Sequence, residues 1–148
     1  MDDVANRRGP PDAPADVLVV DDDDALRGEL AMALQLCGFR VATAVSAEAA
    51  LATLAERPDI AVLLTDIRMP GRSGIALAQE VLARRPPERA LEVLLLSGHI
   101  AATNAVEATR VGAFDLLAKP ARLADIVAVV TRAVDSAQLR RRNASAGG

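Results

Sequence analysis

Aromatic side chains are almost missing from these 148 residues: two phenylalanines, Phe39 and Phe114, with no tyrosine and no tryptophan. Without large rings a core must be filled by alanine and the aliphatic residues, so helices have to pack closely on whatever they cover. Cysteine is nearly absent too. The single thiol, Cys37, excludes an intrachain disulfide and fits a reducing compartment. It falls on the apolar side of the first helix the pattern predicts, where a buried, inert role is expected. Long apolar runs are lacking: nothing approaches the ~18 residues that a membrane span requires. A strong charge of one sign is lacking as well. The net charge of −3 gives no footprint for general nucleic-acid binding. Half the residues are apolar and a quarter charged, an ordinary globular composition, and the length fits one domain. Residues 1–15 carry charges and three prolines around no apolar segment, which predicts a disordered lead-in and not a signal peptide. The expectation is a soluble, cytoplasmic protein that binds neither nucleic acid nor membrane.

What the chain does have is four consecutive aspartates, Asp21–Asp24, directly after the apolar run Val17-Leu18-Val19-Val20. A strand buried on both faces reads as such a run, and this one delivers carboxylates to the rim of a sheet. Two unit charges ~4 Å apart repel by roughly 4 kcal/mol at an effective dielectric of ~20. A helix N-terminus, solvent or a hard divalent cation can offset that repulsion. Asp24 is expected to cap or open the helix starting at Ala25, which leaves Asp21 and Asp22 for another task.

Short apolar runs then alternate with helical periodicity five times. The strands read as Val17–Val20, Arg40–Ala44 (more polar, hence an edge), Ile60–Leu64 (the most apolar, hence central), Val93–Leu96 and Asp115–Ala118. The first helix places Leu26, Leu30, Ala33, Leu34 and Cys37 inward and stops at Gly38. The second is capped by Ser46, buries Ala47, Ala50, Leu51 and Leu54, and ends near Pro58. The third resumes near Gly74 with Leu77, Val81 and Leu82, ending at Pro86-Pro87. A short helix over Thr103–Val111 precedes Gly112, and the last carries Leu123, Ile126, Val127, Val130 and Val134 on one stripe. This alternation predicts an α/β fold, a parallel sheet with helices on both faces.

In such folds chemistry collects at the carboxyl ends of the strands. Those ends carry Asp21-Asp22, Asp66, Ser97 and Lys119. Oxygen ligands with no Cys or His among them suit Mg²⁺, Mn²⁺ or Ca²⁺ over zinc. A phosphoryl group placed there would meet the metal, the Lys119 ammonium and the Ser97 hydroxyl. Asp66 is then either a third ligand or a carboxylate nucleophile. No Walker-type glycine loop is present, so phosphate would be held by metal and side chains.

The segments Val19-Val20-Asp21-Asp22, Thr65 to Gly71 with Gly74, Leu96-Ser97-Gly98, Gly112 to Asp115 and Lys119-Pro120 together resemble the receiver domain of bacterial two-component response regulators. The resemblance runs from about Asp16 to Ala137 and places a receiver domain over residues 16–138, with a flexible basic and small-residue tail at 139–148. It implies the flavodoxin-like (βα)5 sandwich with sheet order 2-1-3-4-5. By the same resemblance Asp66 accepts a phosphoryl group from a sensor histidine kinase or histidine phosphotransfer protein. Asp22 and Asp66 bind Mg²⁺ with the backbone carbonyl of Arg68, and Asp21 acts through water. Ser97 and Lys119 hold the phosphoryl oxygens and transmit its arrival, and the Lys119-Pro120 bond is cis. Readout is expected at the face of the fourth helix, fifth strand and fifth helix, or by relay of the phosphate, in a monomer or weak dimer. A chain ending in Arg140-Arg141-Arg142 without an output module resembles the stand-alone type.

Two positions depart from the family pattern. Leu116 stands where an aromatic switch residue is usual, and Ala121 where phenylalanine is frequent. Arg68 and His99, each two residues past a site residue, are expected to tune the lifetime of the acyl phosphate. The competing readings are a Mg²⁺-dependent phosphohydrolase with an aspartyl nucleophile, and a receiver-like scaffold that is never phosphorylated. The phosphatase pattern D-x-D-x-T fails here, because Asp21–Asp24 is followed by Ala25.

Overall fold

The computed structural model describes residues 16–84, 90–98 and 102–147. The lead-in 1–15, the Pro86-Pro87 stop and His99 lie outside the described residues. Five strands, β1 (Asp16–Val20), β2 (Arg40–Ala44), β3 (Ile60–Asp66), β4 (Glu92–Ser97) and β5 (Asp115–Ala118), form one parallel sheet in the order β2-β1-β3-β4-β5. Five helices alternate with them: α1 (Asp24–Leu36), α2 (Ala47–Glu56), α3 (Gly74–Ala83), α4 (Ala102–Val111) and α5 (Leu123–Gly147). The polar Arg40–Ala44 strand is an edge and the all-buried β3 is central, as their compositions predict.

Alternating side chains feed two apolar layers. Val17, Val19, Leu94 and Leu96 face α1 and α5, meeting Leu30, Leu34, Ile126, Val130 and Val134. Leu18, Val20, Val93 and Leu95 face the opposite layer, with Ala50 and Leu54 of α2, Leu77 and Val81 of α3 and Ala108 of α4. Alternation breaks at Ala61. The register steps from Asp16↔Ile60 to Val17↔Val62, so Ala61 is an extra residue and joins Val62 in the same layer. Both phenylalanines pack against the α1/α5 layer, and among the described residues the other layer contains no aromatic ring.

Asp24 opens α1, as expected, and the cap of α1 is Asp23, whose side chain accepts from the Leu26 N–H at 3.1 Å. In a run of identical residues, only the path of the chain leaving β1 selects the cap. Three other expectations are corrected. Cys37 is exposed, because it is the C-cap and lies beyond the last inward turn. Leu123 is also exposed, and the buried stripe of α5 runs through Ile126, Val129, Val130, Ala133, Val134 and Ala137. Small alanines there let the helix lie close to the sheet. Finally, residues 139–147 continue α5 where a flexible tail is expected. Extending a formed helix is cheap compared with nucleating one. The extension is also pinned: buried Glu92 accepts hydrogen bonds from Ser136 Oγ at 2.6 Å and Arg140 Nε at 2.8 Å.

Candidate functional site

Strand register assembles the rim. Val20 pairs with Thr65, Asp66 with Leu96 and Ser97 with Ala118, so the residues at the carboxyl ends of β1, β3, β4 and β5 come level. Backbone bonds extend the ladder past the strands: Ile67 N to Leu96 O at 2.9 Å, and Lys119 N to Ser97 O at 2.7 Å. One oxygen from each of Asp21, Asp22 and Asp66 falls within 4.8 Å of the others. Asp21 and Asp66 are buried and Asp22 is exposed, so the cluster opens to solvent on one side. Lys119 enters from the β5–α5 loop and places its Nζ 3.1 Å from Asp66 Oδ1 and 3.3 Å from Asp21 Oδ2. The Lys119-Pro120 bond is cis.

The electrostatics follow from this crowding. Burial lifts the Asp66 carboxyl above its ordinary 3.8, more strongly than the hydrogen bond and charge of Lys119 lower it, and the charges of Asp21 and Asp22 push it further up. Burial opposes the charge on Lys119, yet the hydrogen bonds and charges of Asp66 and Asp21 outweigh that, and its pKa is raised. Lys119 thus stays an ammonium at neutral pH, while Asp66 is held as an anion less firmly than a free carboxylate.

The backbone of Asp66 is fixed from below. Its carbonyl accepts from Thr65 Oγ1 at 3.0 Å. Gly74, the first residue of α3, donates its N–H to Ile67 O at 2.8 Å. A Cβ at position 74 would lie 2.1 Å from the Asp66 carbonyl oxygen, so only glycine lets α3 start this close to the acceptor. On the β1 side, Asp21 Oδ1 accepts from the Asp23 N–H at 2.9 Å. Arg27, which the sequence pattern does not single out, donates from Nη1 to the Asp21 carbonyl at 2.8 Å and from Nη2 to Asp24 Oδ1 at 2.6 Å. Its only sequence signal is an i, i+3 acid–base spacing in a first helical turn, a pattern common on any helix surface.

Of the expected site residues, Asp21, Asp22, Asp66 and Lys119 converge. Ser97 is buried at the end of β4, its carbonyl holding the Lys119 N–H. Arg68 is exposed on the loop after β3, where it lines a hollow with Ile67, Met69, Pro70 and Ser73. Leu116 is half-buried and packs against the α2/α3/α4 layer. Three carboxylate donors around one opening are hard oxygen ligands that fit a small divalent cation, with room for water on the Asp22 side.

A model of the response regulator receiver domain matches residues 17–131. The DNA-binding transcriptional regulator NtrC of Salmonella typhimurium is 42% identical over 123 residues, 82% of this chain and 25% of that protein. The C4-dicarboxylate transport transcriptional regulatory protein DctD of Rhizobium meliloti is 38% identical over 134 residues, 90% of this chain and 28% of that protein. The chain therefore spans about a quarter of the length of these curated relatives. A crystal structure of a response regulator receiver domain protein from Clostridium thermocellum is similar with a TM-score of 0.78 and 31% identity, covering 84% of this chain and 98% of that one.

Proposed function

The chain belongs to the response regulator receiver family, and on that footing we propose that Asp66 accepts a phosphoryl group from a phosphohistidine of a sensor kinase or histidine phosphotransfer protein. The family is a signalling switch, not a true enzyme, and the phosphohydrolase reading falls away with it. The observation that carries the proposal is the convergence of Asp21, Asp22 and Asp66 within 4.8 Å under one lysine.

In the transfer, an Asp66 carboxylate oxygen forms a bond to phosphorus as the phosphorus–nitrogen bond of the donor breaks, the electron pair leaving with the imidazole. The nucleophile must be ionised, and Lys119 favours that form against the burial that opposes it. Asp21, Asp22, Asp66 and the Arg68 carbonyl would hold Mg²⁺, Asp21 through water. A cation bound there supplies positive charge for the phosphoryl oxygens. Once the Asp66 oxygen is bonded to phosphorus in the acyl phosphate, it no longer matches the Lys119 ammonium as a carboxylate, and that ammonium turns to a phosphoryl oxygen. The Ser97 hydroxyl takes another. Because Lys119 N hangs on Ser97 O, movement of either loop is passed to the other and to the α4–β5–α5 face. Leu116 makes that face aliphatic, so the readout relies on loop displacement and not on a turning ring. By the family resemblance, the positions of Arg68 and His99 are the ones that set the lifetime of the acyl phosphate.

Intact-protein mass spectrometry after incubation with acetyl phosphate and MgCl₂ tests the proposal. One added phosphoryl group, absent in Asp66→Asn and without the metal, is the expected result. Equal labelling of Asp66→Asn, or none in the parent chain, defeats it.

A further inference from the structure

The turn that carries Asp21 and Asp22 has to hold carboxylates together against their own repulsion, and the β1–β2 ladder reaches it only through the Asp21 N–H, which donates to the Ala44 carbonyl at 3.2 Å. A side-chain fastening is added by Arg27. The Arg27 side chain is only 16% exposed, and its guanidinium bonds to both ends of the acidic run: the Asp21 carbonyl at 2.8 Å and the solvent-exposed Asp24 carboxylate at 2.6 Å. Between those two points lie Asp22 and the capping residue Asp23, whose N–H is already committed to Asp21 Oδ1 at 2.9 Å.

We propose that Arg27 is a positioning residue for the acidic cradle, a two-pronged clamp that fixes the Asp21–Asp24 turn so that Asp21 and Asp22 face Asp66. The inference rests on the cation-binding reading given above and adds a residue to it that touches neither cation nor phosphate. Only arginine suits the position, because its planar fork reaches two acceptors in a fixed geometry while lysine is a single point charge. Groups that orient metal ligands from behind are commonly worth ten-fold or more in affinity.

Clamp and charge make opposite predictions. As a nearby cation Arg27 repels a divalent ion, so removing it should tighten binding. As a clamp it orders the ligands, so removing it should weaken binding. Isothermal titration with MgCl₂ alone, on the full chain and without any phosphodonor, decides between them. For Arg27→Gln the expected result is a Kd for Mg²⁺ roughly ten-fold weaker than the parent's. Arg27→Lys, which keeps the charge and loses the fork, should also bind more weakly. In an Asp24→Ala background, where one of the two prongs is already gone and only the bond to the Asp21 carbonyl remains, Arg27→Gln should change Kd less than it does in the parent. Unfolding midpoints in EDTA supply the control, since a merely structural role lowers these and leaves Kd untouched. Unchanged or tighter binding by Arg27→Gln in a parent that binds Mg²⁺ overturns the clamp alone. A parent that ignores MgCl₂ removes the cation reading and the clamp with it.

Discussion

Replacing Gly74 by alanine adds one methyl group and should damage both stability and phosphorylation. The Cβ would sit 2.1 Å from the Asp66 carbonyl oxygen, 2.8 Å from its carbonyl carbon and 2.9 Å from Ile67 Cα. All three are backbone atoms, so no rotamer change relieves the overlap. Contact at ordinary van der Waals distance requires α3 and the end of β3 to separate by more than an ångström. Overpacking of this kind costs about 1–3 kcal/mol. The Gly74 N–H to Ile67 O bond of 2.8 Å is stretched in the process, at about 1 kcal/mol. Helix propensity returns at most ~1 kcal/mol, and less at a first helical residue. The net loss is about 2–3 kcal/mol, a fall in melting temperature on the order of 10 °C. Gly28, on the exposed side of α1, is the matched control: a Cβ there meets nothing within 4 Å, and Gly28→Ala should stabilise by ~0.5–1 kcal/mol. Urea unfolding of both variants, with acetyl phosphate labelling of Asp66, reads the two effects. A Gly74→Ala protein as stable and as readily labelled as the parent would refute the claim that α3 is held against the acceptor's own backbone.

Three further outcomes follow from other parts of the molecule. Asp66 has a raised pKa, so its favourable contribution is complete below 3.8 and is lost as pH climbs through the raised folded value. Asp66→Asn should therefore gain stability over the parent in metal-free buffer, by more at pH 7 than at pH 4; an advantage that shrinks with rising pH contradicts this. Arg140→Ala leaves the buried Glu92 carboxylate with one fewer donor and should cost about 1–2 kcal/mol in urea unfolding, discounted because half of the arginine is in solvent. If the midpoint does not move, the α5 extension is not pinned there. Beside Ala121, a hollow of about 390 Å³ is lined by Leu26, Leu30, Leu96, Leu123 and Ile126 together with Glu29, Lys119 and Pro120. Ala121→Phe should fill it and raise stability by ~1 kcal/mol net of ordering the ring, whereas a drop in melting temperature would mean the space is not available to a ring.

The strands and most of the helices were legible because burial on both faces leaves β1, β3 and β4 no choice but continuous apolar runs. The helix stops were legible through Gly38 and Gly112, both at positive φ. Local pattern misjudged the last helix, where alanine gives little contrast between faces. It placed Leu123 inward and overlooked Ala133 and Ala137, which the sheet accepts because they are small. It also placed Arg140 in a flexible tail, since nothing near residue 140 announces a buried carboxylate 48 positions earlier.

By itself the sequence determined that carboxylates, a hydroxyl and an ammonium would stand at strand ends, since each directly follows or closes a short run whose pattern reads as a strand, fully buried in β3 and β4 and partly exposed in β5. Tertiary structure decided which of them touch. Lys119 reaches Asp21 across 98 residues because the inter-strand hydrogen-bond ladder sets β1, β3, β4 and β5 level at one rim. Only the folded turn made Asp23 the cap, Asp24 an anchor and Arg27 the link between the ends of the acidic run. Four identical side chains carry no local information about their roles, and those roles are assigned by the directions in which the backbone points them.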